Sequence, residues 1–395
     1  MDDFEVPFLD NKKNPWYRAV LCESELWSCI ANLTMTAVGA VVLALPQCLA
    51  DTGWALGVFL LFFFAYLSDR SLVFLVRCGD YVREDDYEKL AERLIGAKGK
   101  WLFRVSLCLL LFAALCSLLI IIGDMAIKDL QYIGVHNAWY VERWFLTAMA
   151  MMMVYPLTLA NHLHQLLSPA MDVDDRTPAP GPESFHIASK TLLALPVIPM
   201  AFCCQFNVMP MHRELSPQNR DHIFPVIHLT IFGLALPLYI LFAFIPYNFI
   251  GPDVPSDFLQ AWEDNVVIFV ARFSIAVVNL LKVPLVILPL RTVLCDALFP
   301  KSGWSGLSTP VACLVMAILN GAIAGAAILL GDLATVLELA GSTTGVLICF
   351  VFPGLFYIYL SSPEGPKSSR WEAWMMTITG AAVGIASFTV TVMGM

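Results

Sequence analysis

Runs of about 20 predominantly apolar residues recur along this chain, and a run of that length is what a helix needs to cross the hydrocarbon of a bilayer. They fall near 24–48, 54–77, 101–123, 144–164, 190–211, 223–247, 266–290, 308–331, 333–360 and 372–394. In lipid every backbone N–H and C=O must be satisfied internally, so the recurrence predicts an all-α polytopic membrane protein of about ten spans. Composition agrees: 58% of residues are hydrophobic and 14% charged, with a mean hydropathy of +0.73, whereas an ordinary soluble domain is roughly a quarter charged. The net charge of −9 matters less than where Lys and Arg sit relative to the spans. Nothing resembles a basic nucleic-acid surface, so no nucleic-acid partner is expected.

Orientation follows from those basic residues. Arg77, Arg83, Lys89, Arg93, Lys98, Lys100 and Arg104 cluster between the second and third spans, which places that segment in the cytoplasm by the positive-inside rule. Tyr87, Leu90, Ala91, Leu94 and Ile95 share one helical face there, which predicts a short amphipathic helix on the membrane surface. The loops carrying Arg213 and Arg220, Arg291 and Lys301, and Lys367 and Arg370 also read as cytoplasmic. The loops at Asp51, at Asp253 to Asp264 and at Asp332 lack Lys and Arg and fit the outside. Parity then fails. Three spans separate Arg104 from Arg213, and an odd number of crossings cannot join two loops on one side. The missing crossing is expected at Ser168 to His186, where acidic residues and Pro178, Pro180 and Pro182 make a polar linker.

The first span contains Gly39 and Pro46, which a plain spanning helix does not need. One reading is a broken helix forming a binding site; the other is that Gly and Pro are simply commoner in membrane helices. The 11 cysteines lie mostly in apolar runs, with no CxxC and no Cys/His set at metal spacing, so they read as small buried hydrophobes and no cofactor or metal is expected. The N-terminus, MDDFEVPFLDNKKNPWYR, is polar and acidic, so no cleaved signal peptide is expected. No Ser/His/Asp set or phosphate-cradling loop is present. His162, His164, His212, His222 and His228 flank spans, so an enzyme is not expected. Asp124 reads as a solvated helix end at the outer interface, and Glu338 as a residue of the outer mouth.

The run NLTMTAVGAVVLALP resembles the first helix of the amino acid/auxin permease family. DYEKLAERLIGAKGKWL, SLLIIIGDM, LPVIPMAFCCQFNVMPMHREL, LLKVPLVILPLRTVL and LELAGSTTGVLICFVFPGLFYIYL are similar to later family segments, in the family's order. The resemblance covers nearly all of the chain outside 1–24 and 165–190. It implies a LeuT-type five-helix inverted repeat and a single transporter domain over 24–394. A cytoplasmic tail, 1–23, precedes it. The first repeat would be 24–164, holding helices 1–4. A linker at 165–189 would stand where the fifth of the usual eleven helices belongs, followed by a second repeat at 190–360 and a last helix at 372–394. A splice form, an incomplete gene model and a real ten-helix protein are all compatible with that gap.

The resemblance also implies function: a secondary transporter of amino acids working by alternating access, with one helix break at Thr36 to Val42 and a second at Ala201 to Asn207, bounded by Pro199 and Pro210, and with neutral substrates the default because neither break carries a charged side chain. Backbone groups at Thr36, Ala37, Gly39, Ala40 and Val41 would hold the substrate's main-chain atoms, and Phe202, Gln205 and Asn207 would shape the side-chain pocket. Interhelical hydrogen bonds are the other reading of Gln205 and Asn207. The family's sodium-driven branch has an Asn four residues before the Gly and a hydroxyl just before the Pro of the eighth helix. Here those positions carry Met35 and, ahead of Pro284, Leu281 and Lys282. Neither is an oxygen ligand of the kind a hard cation needs. An ammonium at Lys282 in the ion's place implies sodium independence, with protons as a candidate coupling ion; the alternative is that Lys282 snorkels or pairs with a carboxylate. Expected partners are the amino acid, protons and the bilayer, and the expected location is the plasma membrane or a vacuolar or lysosomal membrane, with the N-terminus in the cytoplasm. The rival readings are an amino acid sensor and a non-transporting truncated isoform.

Overall fold

In a computed structural model the described residues are 24–135, 142–159, 189–252, 254–262, 265–299, 304, 306, 308–360 and 367–394, and among them every regular element is helical. The chain runs α1 (Ser24–Ala37), a 3-10 turn (Ala40–Ala44), α2 (Leu45–Thr52), α3 (Trp54–Val82), α4 (Tyr87–Ile95), α5 (Ala97–Tyr132) and α6 (Arg143–Leu159). It continues with α7 (Ser189–Ala201), α8 (Gln205–Glu214), α9 (Arg220–Ile250), α10 (Val266–Leu298), α11 (Thr309–Leu330), α12 (Leu333–Leu360) and α13 (Lys367–Gly394). Among the described residues 8 helical segments are long and apolar enough to span, or 9 if the bent pair made by α1 and the Ala40–Thr52 half counts as one crossing. The fourth expected span corresponds to α6, which has 17 described residues. The expected tail at 1–23, the linker at 165–188, and His162 and His164 lie outside the described residues.

The two interrupted helices run antiparallel in one layer. α1 packs on α8 and on the 223–235 part of α9, while α2 packs on α7 and on the 236–250 part of α9. Long apolar α5 and α10 make the most extensive helix pair and lie behind this layer. Gly53, at φ 78°, lets α2 turn directly into α3. Gly341 of α12 presses on α7 so closely that a Cβ there would sit 2.3 Å from the Pro196 carbonyl oxygen. Only glycine permits that approach of two backbones, the small-residue contact on which membrane helix packing relies.

The amphipathic helix α4 exists, but its partner is protein. Tyr87, Leu90 and Ala91 are buried against α5 and the end of α12, and the Tyr87 hydroxyl donates to the Ile348 carbonyl at 2.8 Å. α12 is wound as π-helix at Gly341–Gly345 and Leu347–Val351. Side chains from neighbouring helices bond to backbone oxygens of that wide winding: Tyr87 reaches Ile348, and the Ser71 hydroxyl donates to the Cys349 carbonyl. Burial raises the Tyr87 phenol well above its ordinary range, so it stays a donor.

Candidate substrate site at the two helix breaks

The first break lies within the stretch expected from sequence. α1 stops at Ala37, Val38 and Gly39 are non-helical, and the two halves meet at 49°. The last regular helical bond is Val38 N–H to Thr34 O at 2.7 Å, after which Gly39 N–H turns back to Ala37 O at 2.8 Å. A 3-10 turn leaves its leading N–H groups without partners inside the turn, and here those belong to Ala40 and Val41. Gly39 has extended backbone, and a Cβ built on it would meet nothing closer than 4.0 Å. Room therefore adjoins the point where amides are freed. The C-terminal end of α1 is electronegative and the start of the 3-10 turn and α2 electropositive, so the break presents opposite dipole ends a few residues apart.

The second break, at Phe202–Cys204 between α7 and α8, lies within the stretch Ala201 to Asn207 that the family resemblance implies. Several of its polar groups have protein partners, while Gln205 Oε1 is buried without one. The Tyr239 hydroxyl donates to Ala201 O at 2.6 Å and the Ser68 hydroxyl to Phe202 O at 3.0 Å. Gln205, fully buried, donates from Nε2 to Ser68 Oγ at 3.0 Å. Asn207 Nδ2 donates to Thr36 Oγ1 at 2.9 Å and to Asn32 Oδ1 at 3.2 Å, tying α8 to α1. Phe202 is buried edge-on against the Tyr239 ring, with centroids 5.0 Å apart. Thr36 Oγ1 itself donates to Asn32 O at 2.8 Å.

Lys282, inside α10, comes to the first break. Its Nζ donates to the Val38 carbonyl at 3.3 Å, beside the gap in α1. Met35 is 49% exposed and presents a thioether, a weak acceptor, rather than an oxygen. The eight positions expected to contact substrate thus divide: Thr36, Ala37, Gly39, Ala40 and Val41 surround the first gap, while Phe202, Gln205 and Asn207 lie at the second.

Both ends of this layer are closed. At the α1 end, Glu25 accepts from Ser216 N–H at 2.7 Å, Ser216 Oγ at 2.9 Å and Asn219 Nδ2 at 2.7 Å. At the other end, residues 254–262 fold over the 3-10 turn, with Val254, Phe258 and Leu259 buried. Asp124 is not solvated as its position suggests: it is buried, paired with Arg143, and accepts from Gln260 Nε2 at 2.9 Å. His212 is buried too, 3.6 Å from Asp80, rather than interfacial. Glu338 is half-buried at the Asp332 end of α12, consistent with a place near the mouth. Sequence reasoning passed over Ser68, Tyr239 and Arg272. Arg272 carried a signal, since a charge within an apolar span is costly unless it has a task.

Interrupted helices packed on one another inside a bundle of apolar helices define the architecture of a multi-pass membrane protein. The chain belongs to the transmembrane amino acid transporter protein family, whose model matches residues 23–174 and 143–395. It is similar to the human protein named solute carrier family 38 member 10, at 24% identity over 383 residues, covering 88% of this chain and 33% of that protein. The rat protein named putative sodium-coupled neutral amino acid transporter 11 is 25% identical over 386 residues, covering 92% of this chain and 84% of that one; its mouse counterpart is 24% identical over 386 residues. The chain thus spans about a third of the length of the first of these relatives and most of the length of the others.

Proposed function

We propose that this chain is a sodium-independent secondary carrier of neutral amino acids that works by alternating access. The single observation that carries the sodium independence is the 3.3 Å contact between Lys282 Nζ and the Val38 carbonyl. In this reading the ammonium is the fixed cation at a helix break where a mobile cation would otherwise neutralise freed carbonyls. A charged donor on a carbonyl contributes roughly 1.5–3 kcal/mol. Met35 supplies no hard oxygen that would compete for a metal ion.

The substrate's carboxylate is received by the Ala40 and Val41 amides at the electropositive start of the 3-10 turn, and its ammonium by the carbonyls ending α1, among them Thr36 and Ala37. The space beside Gly39 admits the main-chain atoms. Phe202, Gln205 and Asn207 bound the side-chain end. A neutral substrate fits because Lys282 is the one charged side chain at these positions and its ammonium is already on Val38. The rat and mouse relatives are named for neutral amino acids, which supports the substrate class, and for sodium coupling, from which Lys282 and Met35 depart.

Alternating access would use the two closures: release of Glu25 from Ser216 and Asn219 opens the end that the Lys and Arg distribution assigns to the cytoplasm, and lifting of residues 254–262 opens the other. The family match divides within 143–174, beside the linker where the fifth helix is expected, and this supports a chain short of that helix. Binding tests the substrate reading. Purified protein should bind a radiolabelled neutral amino acid, displaced by other neutral amino acids and not by aspartate or lysine. Equal displacement by charged amino acids would overturn the neutral class.

A further inference from the structure

The segment that covers the first break is held by an unusual concentration of buried charge. Its 3-10 turn, Phe258–Gln260, rests on the Ala40–Ala44 turn and on α5. From α10, Arg272, only 1% exposed, donates through Nε and Nη2 to Leu259 O at 3.1 and 2.9 Å, and through Nη2 to Trp262 O at 3.1 Å. From α5, Asp124 accepts from Gln260, and it is itself paired with Arg143 of α6, which also donates to Gly331 O. From the start of α12, Asp332 accepts from Ser256 Oγ at 2.9 Å. Lys128 and Asp129 lie about one turn further along α5.

At the centre is Asp257. Its carboxylate caps the turn, accepting from Leu259 N–H at 3.2 Å. It is 1% exposed, and its second oxygen, Oδ2, is buried with no hydrogen-bond partner. An ionised carboxylate with an unpaired buried oxygen beside a second carboxylate, Asp124, is an unfavourable arrangement; a neutral carboxyl group removes the repulsion and lowers the cost of burying the unpaired oxygen.

We propose that Asp257 is a proton-binding latch: its protonated carboxyl holds the 254–262 segment closed over the first helix break, and its ionisation loosens that segment, so that protons on this face gate access to the substrate site. The latch rests on the carrier reading for its purpose, though not for its operation. Burial first, and Asp124 second, push the Asp257 carboxyl up to about 7, against the pull of the Leu259 amide, Gln260 and Arg272. A carboxyl raised in the closed form stabilises that form at low pH. That stabilisation is complete below the ordinary Asp value of about 4 and is lost as pH rises through about 7.

Hydrogen–deuterium exchange of the full chain in lipid nanodiscs, corrected for the intrinsic pH dependence of amide exchange, reads the segment directly. Opening of residues 254–262 should increase about tenfold per pH unit between pH 5 and 7 and level off above 7. Asp257→Asn should remain closed and flat across the range. Asp124→Asn should keep a pH response that levels off at a lower pH. A wild-type segment whose corrected exchange does not change with pH overturns the latch, as does an Asp257→Asn protein that keeps the wild-type response. Because exchange needs no transport, a segment that opens with pH in a protein that moves no amino acid would sink the carrier reading and leave the latch standing. Normal uptake with a flat profile would do the reverse.

Discussion

The two helix breaks look alike in sequence and differ in what happens to their polar groups. Around Phe202–Cys204 the freed carbonyls of Ala201 and Phe202 receive hydroxyls from Tyr239 and Ser68, and Gln205 and Asn207 bond to other helices. Around Val38–Gly39 one carbonyl meets Lys282, and a Cβ on Gly39, next to the leading amides of the following turn, would meet nothing closer than 4.0 Å. A break whose freed carbonyls are paired within the protein is suited to work as a joint, although Gln205 Oε1 there is buried without a partner. A break with space beside its freed donors is the one that the proposed function assigns to a ligand.

Gly39→Leu should separate the two breaks most strongly. The position has no clash and no left-handed backbone, so the protein should fold, while the side chain fills the gap. Uptake per molecule should fall by more than about 100-fold, as misplacement of a bound substrate by an ångström or so can do. Unimpaired uptake by well-folded protein would move the site elsewhere. Ser68→Ala should act differently, costing about 1–3 kcal/mol because Phe202 O and Gln205 lose a buried partner. A lower thermal midpoint with an unchanged order of preferred substrates is the expected pair of results, and altered preference would make the second break a pocket wall. Tyr239→Phe should cost about 1 kcal/mol in the same assay. The smallest effect is expected at Glu25→Gln, which weakens the clasp on Ser216 and Asn219. Cys29, one turn along α1 and buried, should then react a few-fold faster with a membrane-permeant thiol reagent, and an unchanged rate would show that the clasp does not govern that end.

The first break was legible because Gly39 and Pro46 act on their own backbone, the second through the family resemblance of its segment, and Lys282 because a charge in an apolar run has few explanations. The closures were not. Glu25 with Asn219 and Ser68 with Phe202 join positions well over a hundred residues apart, and no periodicity records such pairs. Asp124 misled because the end of an apolar run looks like the edge of the membrane, whereas α5 continues to Tyr132 and the 254–262 segment covers it. Residues 87–95 show a subtler limit: an apolar stripe announces that a helix face will be covered, not whether lipid or protein covers it.

In the proposed carrier Lys282 stands at the first break in place of a mobile cation. Uptake of a labelled neutral amino acid into proteoliposomes, with sodium or with choline outside, for wild type and for Lys282→Thr, tests it most directly. Wild type should transport equally in both media, and Lys282→Thr should lose about tenfold or more in choline, as removal of a charge-assisted bond of roughly 1.5–3 kcal/mol requires. Wild-type uptake that collapses without sodium, or a Lys282→Thr protein that transports as well as wild type, would contradict it.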